Sequence, residues 1–136
     1  MKNKGFTLIE LLAVIVILAI IALIATPTIL NVVETARKGA AESSVLGYID
    51  AVEKQAMINA MDETKTQITG QMSLDELANA EVTVKGQAPT EVGEKGEETA
   101  TTNKLTITEG EVGDAAFKVG NYTVDYTKST GKAVAR

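Results

Sequence analysis

The chain has no cysteine, no histidine and no tryptophan. Without cysteine it forms no disulfide, offers no thiolate nucleophile and has no sulfur ligand for a metal, so its fold rests on packing and hydrogen bonding alone. Without histidine it lacks the side chain that most often acts as a general base near neutral pH and as a metal ligand. Aromatic residues are scarce, three Tyr and two Phe in 136 residues, which leaves few platforms for stacking bases or sugars. Positive charge is also in deficit. The net charge is −5, whereas a surface that neutralises phosphates needs the opposite balance. Carboxylates alone remain for enzymatic chemistry, and no catalytic constellation is found among them. The reading is therefore of a chain that is not an enzyme, with no cofactor, no metal and no direct nucleic-acid site.

What the sequence does have is a long apolar run. Leu11 to Ala25 are 15 consecutive apolar residues, and extended back to Phe6 the stretch covers 20, interrupted by Thr7 and Glu10. At the helical rise of ~1.5 Å per residue, 20 residues span about 30 Å, the thickness of a bilayer core. Lys2 and Lys4 precede the run and no basic residue follows until Arg37, which puts Met1 in the cytoplasm and the remainder outside. A secretory signal peptide has a shorter apolar core, of about 7–15 residues, and ends in a cleavage site rather than in continued helix. A plain membrane anchor has no use for Glu10, since a carboxylate in the bilayer costs roughly 2.5–3.5 kcal/mol at its centre and less near its edge.

The stretch "KGFTLIE", Lys4 to Glu10, followed by the apolar run and Pro27, resembles the N-terminus of a type IV pilin precursor. The resemblance covers about the first 35 residues. It implies that Met1 to Gly5 is a leader, that a prepilin peptidase/N-methyltransferase cuts after Gly5, and that Phe6 becomes an N-methylated N-terminus. It also implies roles in assembly for Phe6, Glu10 and Pro27. The matching glutamate of the family neutralises the terminal amine of a neighbouring subunit in a filament. Further partners implied are the inner-membrane assembly platform and other copies of the chain itself. The localisation that follows is a single-pass protein of the cytoplasmic membrane before assembly and a surface filament after it. Many pilins carry a disulfide in their C-terminal loop, and a chain without cysteine departs from that pattern.

Past Pro27 the helical pattern resumes. Ile29, Val32, Val33, Ala36, Ala40, Val45, Tyr48, Ile49, Val52, Ala56 and Ala60 keep spacings of three and four, while Glu34, Lys38, Glu42, Asp50 and Lys54 mark the other face. One helix is expected to about Asp62, kinked at Pro27, which has no N–H for the i−4 carbonyl. In a filament that stretch is either a place for the helix to unwind and let the fibre stretch or a mere kink. Ser73 and Glu76 form a capping-box pattern ahead of a short helix. "EVTV" (81–84), "KLTIT" (104–108), "FKVGNYTVDYT" (117–127) and "KAVA" (132–135) alternate as strands. "KGQAPTEVGEKGEETATTN" (85–103) reads as a long exposed loop, with a solvated acidic "GEKGEE" rather than a cation site. "GEVGD" (110–114) reads as a turn, and "NYT" (121–123) is a glycosylation sequon inside a strand.

Residues 63–136 contain only 16 large apolar residues in 74, too few for a core of their own. The expected fold is α+β: a small antiparallel sheet packed on the second half of the long helix, which is also the pilin fold that the resemblance implies. The expected divisions are leader 1–5, helix 6–62 (apolar 6–27, amphipathic 28–62) and head 63–136. Three functions compete. The first is a major pilin. The second is a pseudopilin of a type II secretion or competence system, or a minor pilin. The third is a membrane-tethered enzyme or binding domain. Gly5–Phe6 and Glu10 weigh against the third. The compact head favours the first, as does the glutamate, which minor and initiating subunits often lack.

Overall fold

The computed structural model describes residues 5–96 and 103–136. It falls into two compact units that divide between Ala36 and Arg37. Helix α1 (Leu8–Ala60) contributes to both. In the first unit it is the apolar stretch, whose large side chains from Phe6 to Val33 are exposed. This stretch is long and apolar enough to cross a membrane. The helix continues through Pro27. Proline leaves the carbonyl of Leu23 without its donor. On either side, the Thr26 hydroxyl donates to the Ala22 carbonyl at 2.7 Å and the Thr28 hydroxyl to the Ile24 carbonyl at 3.4 Å. Such back-bonding favours helix bending.

In the second unit α1 supplies one wall of the core. Ala41, Val45, Tyr48, Ile49, Val52, Ala56 and Asn59 are buried, a spacing of three and four that lines one helical face. The face is turned slightly from the expected one, since Ala41 and Asn59 are buried and Ala40 and Ala60 are exposed. Asn59 is tolerated there because each polar atom is satisfied. Its Nδ2 donates to the carbonyls of Thr66 (2.8 Å) and Ala80 (3.3 Å), and its Oδ1 accepts from Gln55 Nε2 (2.9 Å).

The sheet is not single. Strands β1 (Gly70–Ser73), β3 (Lys104–Thr108) and β4 (Glu111–Val112) form a three-stranded antiparallel sheet in the order β1-β3-β4. Strands β2 (Glu91–Gly93), β5 (Ala115–Val119), β6 (Tyr122–Thr127) and β7 (Lys132–Ala135) form a second, in the order β2-β5-β6-β7. Leu105 and Ile107 of β3, Phe117 of β5 and Val124 of β6 are buried with the helix residues in one cluster. The Phe117 ring meets Tyr48 edge-to-face, centroids 6.1 Å apart. The α+β architecture and the expected β3 and β7 stand as read from the sequence.

Several elements differ. "EVTV" is not a strand. Helix α2 (Leu74–Asn79) has the expected capping box at Ser73 and Glu76, and it exits through a Schellman motif. Val82 N donates to Leu77 O and Glu81 N to Ala78 O, with Glu81 at φ 68°. The alternating valines come from Val82 and Val84 leaning on the core. "FKVGNYTVDYT" is a hairpin rather than one strand, with Val119 paired to Tyr122 across Gly120 and Asn121. Gly120 at φ 59° supplies the positive φ that such a tight turn requires. Asn121 of the sequon is thus exposed at a turn, not within a strand. "GEVGD" holds a two-residue strand, β4, reached from β3 through Glu109 and Gly110, both at positive φ. The 85–103 loop contains β2, and its acidic stretch passes beyond the described residues after Gly96.

Two glutamates on α1 bond to the sheets directly. Glu42 Oε1 accepts from Ala135 N of β7 at 2.9 Å, and Glu53 Oε1 accepts from Val112 N of β4 at 3.0 Å. The last residue is also held: Arg136 Nε and Nη2 reach the two Asp125 carboxylate oxygens at 2.8 and 3.1 Å. Asp125 Oδ1 accepts from Gly96 N as well, at 3.3 Å.

Candidate functional site

The residues singled out in the sequence lie at the start of α1. Gly5, Phe6 and Thr7 precede the helix, and Glu10 sits in its first turn. The first helical bond runs from Leu11 N to Thr7 O at 3.2 Å, which makes Thr7 the N-cap. Its side chain behaves as one. Glu10 N donates to Thr7 Oγ1 at 3.3 Å, while Thr7 N and Thr7 Oγ1 both donate to Glu10 Oε2 at 2.8 Å. This reciprocal pair is a capping box, threonine at the N-cap and glutamate three residues into the helix.

The box answers part of what a carboxylate does at this place. Four N–H groups at a helix start have no partner within the helix, and in an apolar medium each is expensive to leave bare. Thr7 and Glu10 satisfy two of them. The positive end of the helix dipole also favours an acid there. One carboxylate oxygen takes both Thr7 bonds, so Oε1 keeps its acceptor capacity. Phe6 is 92% exposed, and Gly5 lies open, with nothing within 4 Å of where a Cβ would stand. The Gly5–Phe6 peptide is thus an accessible, non-helical bond ahead of a capped helix.

Of the sequence-assigned residues, Gly5, Phe6 and Glu10 share one locus. Pro27 does not; it lies 17 residues along the helix from Glu10, about 25 Å at the helical rise. Thr7 was missed as a site residue. Its signal was visible, because Thr7-Leu8-Ile9-Glu10 has the spacing that identifies the capping box at Ser73. Among the described residues no three Asp or Glu side chains converge as a metal site would require.

Residues 1–26 match the family model described as the prokaryotic N-terminal methylation motif, the class III signal peptide of type IV pilins. No curated protein and no solved structure matches the chain. The motif supports a type IV pilin-like reading of this N-terminus, and where it occurs it implies processing by a prepilin peptidase. With the apolar helix behind it, the motif fits membrane anchoring before assembly.

Proposed function

Starting from a type IV pilin-like protein, we propose that this chain is a major pilin, the bulk structural subunit of a type IV pilus. Hydrolysis of the Gly5–Phe6 peptide adds water across the bond. It releases the leader as a carboxylate and leaves an α-amine on Phe6, to which methylation adds a methyl group. An α-amine with a pKa of about 7.7–8.0 is mostly protonated at pH 7. Once subunits leave the bilayer and pack helix against helix, that charge is shut away from water, and a buried charge without a partner is strongly unfavourable.

The carrying observation is Glu10. Its Oε2 is fixed by Thr7 and its Oε1 is open, so the carboxylate is oriented before any neighbour arrives. A neighbouring Phe6 amine takes Oε1 in a charge-assisted bond. The pairing also sets register, because a subunit slipped along the filament buries both charges unpaired. Ala13, Ala19, Ala22 and Ala25 let helices approach closely. Pro27 contributes a weak point, where a carbonyl without its donor makes local unwinding cheaper as the filament forms.

The test is intact mass with N-terminal fragmentation on protein sheared from the cell surface. A chain starting at N-methylated Phe6 and abundant in that fraction supports the major-pilin reading. Processed chain confined to the membrane supports a pseudopilin or minor pilin instead. Uncut Met1, or a cut beyond Ala25, refutes the filament reading altogether.

A further inference from the structure

One motif and one cavity remain without a task, and they meet at the same turn. Of the six asparagines, only Asn121 is followed two residues on by Ser or Thr, in Asn121-Tyr122-Thr123. Gly120 and Asn121 form the tip of the β5–β6 hairpin, and Asn121 is exposed there. The Asn121 amide bonds to no other described residue, so its Nδ2 is not committed to the turn. Thr123 follows in β6, where Val124 is buried, so Thr123 points away from the core.

Beside the turn lies an open groove of about 320 Å³, a size within the usual range of small-molecule sites. Arg37 and Ser44 of α1 form one side, Gln87, Asn121 and Tyr122 the other, and Ala41 gives an apolar floor. Gln87 reaches across to the turn: its Nε2 stands 3.6 Å from where a Cβ on Gly120 would be. Arg37 has no ion-pair partner among the described residues. The Ser44 hydroxyl donates to the Ala40 carbonyl at 2.9 Å and keeps its oxygen as an acceptor. A sugar ring matches this mixture. Its C–H face packs on apolar carbon and an aromatic ring, while its hydroxyls accept from a guanidinium and an amide and donate to a hydroxyl oxygen. We propose that Asn121 is an N-glycosylation site and that the first sugar of its glycan lies back in this groove. In the transfer step Nδ2 of Asn121 bonds to C1 of a sugar supplied as a lipid-linked diphosphate. The C1–O bond to the diphosphate breaks, one amide proton passes to a base of the transferase, and the lipid diphosphate leaves. The Thr123 hydroxyl is the second element of the acceptor motif. Transfer requires the head outside the cytoplasm, where Lys2 and Lys4 ahead of the apolar run place it. It is independent of whether the chain is a major or a minor pilin.

Trypsin releases Val119–Lys128 as one peptide, since Lys118 and Lys128 flank the motif. In protein from its native cells this peptide should be heavier by a whole glycan, with fragmentation placing the sugar on Asn121. Asn121→Gln and Thr123→Val should each return it to the mass of the bare sequence, and Thr123→Ser should keep the glycan. A bare wild-type peptide, or a sugar mapped to a hydroxyl of Tyr122 or of a threonine, overturns the assignment. The seat in the groove is read on the folded glycoprotein, by the rate at which a glycosyl-asparagine amidase removes the glycan. Arg37→Ala should speed release roughly tenfold, the equivalent of one hydrogen bond to a charged group; an unchanged rate overturns the seating. A bare peptide on a chain that begins at N-methylated Phe6 removes the glycan and leaves the filament reading intact, whereas a glycosylated chain that still carries Met1 does the reverse.

Discussion

Glu10→Gln separates the cap that this side chain makes in the structure from the charge pairing proposed for it. Glutamine is accepted at the third helical position of a capping box, so its carbonyl oxygen keeps the bonds from Thr7 N and Thr7 Oγ1. The helix start is preserved and only the charge is lost. If the carboxylate neutralises a buried amine, losing it costs about 3–5 kcal/mol, or roughly two to three and a half powers of ten in subunit association. Thr7→Val does the reverse. It keeps the charge and removes the cap, which costs about 1 kcal/mol, or roughly fivefold. The assay compares processed protein in the sheared fraction with that in the membrane, by immunoblot and mass. Glu10→Gln should be cut, methylated and membrane-inserted, yet absent from the sheared fraction. Thr7→Val should assemble at reduced yield. Wild-type filament yield from Glu10→Gln would refute the charge-pairing argument, and complete loss with Thr7→Val would assign the effect to helix capping.

Other outcomes follow from the head. Phe117→Ala empties a fully buried site against Tyr48 and should cost about 3–5 kcal/mol in denaturant unfolding; a loss under 1 kcal/mol would mean the core is not as drawn. Asn59→Ala strips the Thr66 and Ala80 carbonyls of their donor and should cost about 1–3 kcal/mol. Glu81→Gly relieves a left-handed residue, worth roughly 1 kcal/mol, against a largely exposed ion pair to Lys65 worth less; the melting temperature should rise slightly. Burial raises the Tyr48 hydroxyl to about 12. Above the unfolded value, near 10, the unfolded chain loses this proton while the folded chain keeps it, so unfolding binds fewer protons and stability falls as pH rises. The contribution is full below about pH 10 and is lost between about 10 and 12. Tyr48→Phe should flatten that slope, and an unchanged slope would show that another group causes it.

How much was legible in advance depended on how many residues carried each signal. The amphipathic half of the long helix, Ile29 to Ala60, repeats its pattern over about nine turns, so its end was placed within two residues of Ala60. The capping box at Ser73 and the strand Lys104–Thr108 were readable because each has a local chemical rule. Strands β1 and β2 were not, since "GQMS" and "EVG" each bury a single large side chain, Met72 and Val92, and are strands only because β3 and β5 pair with them. The alternation of Glu81–Val84 misled, because a helix exit and a strand both place every second residue inward over so short a span. At the site, Gly5, Phe6 and Glu10 were carried by register in a motif. Thr7 is an N-cap only because the helix starts at Leu8, a boundary that a continuous apolar run does not mark.

The carboxylates of Glu42 and Glu53 each occupy a backbone N–H on a terminal strand of a different sheet, β7 and β4. Unpaired strand edges are templates on which further chains add indefinitely. A subunit stored at high density in a membrane, apolar helix beside apolar helix, is under constant temptation to zip its heads together into cross-β aggregates. Each carboxylate takes one outward N–H of its strand, so the helix removes one point at which a further strand could pair on each of these edges. In the filament proposed above, lateral contacts between heads would then fall to side chains at these two points rather than to added strands.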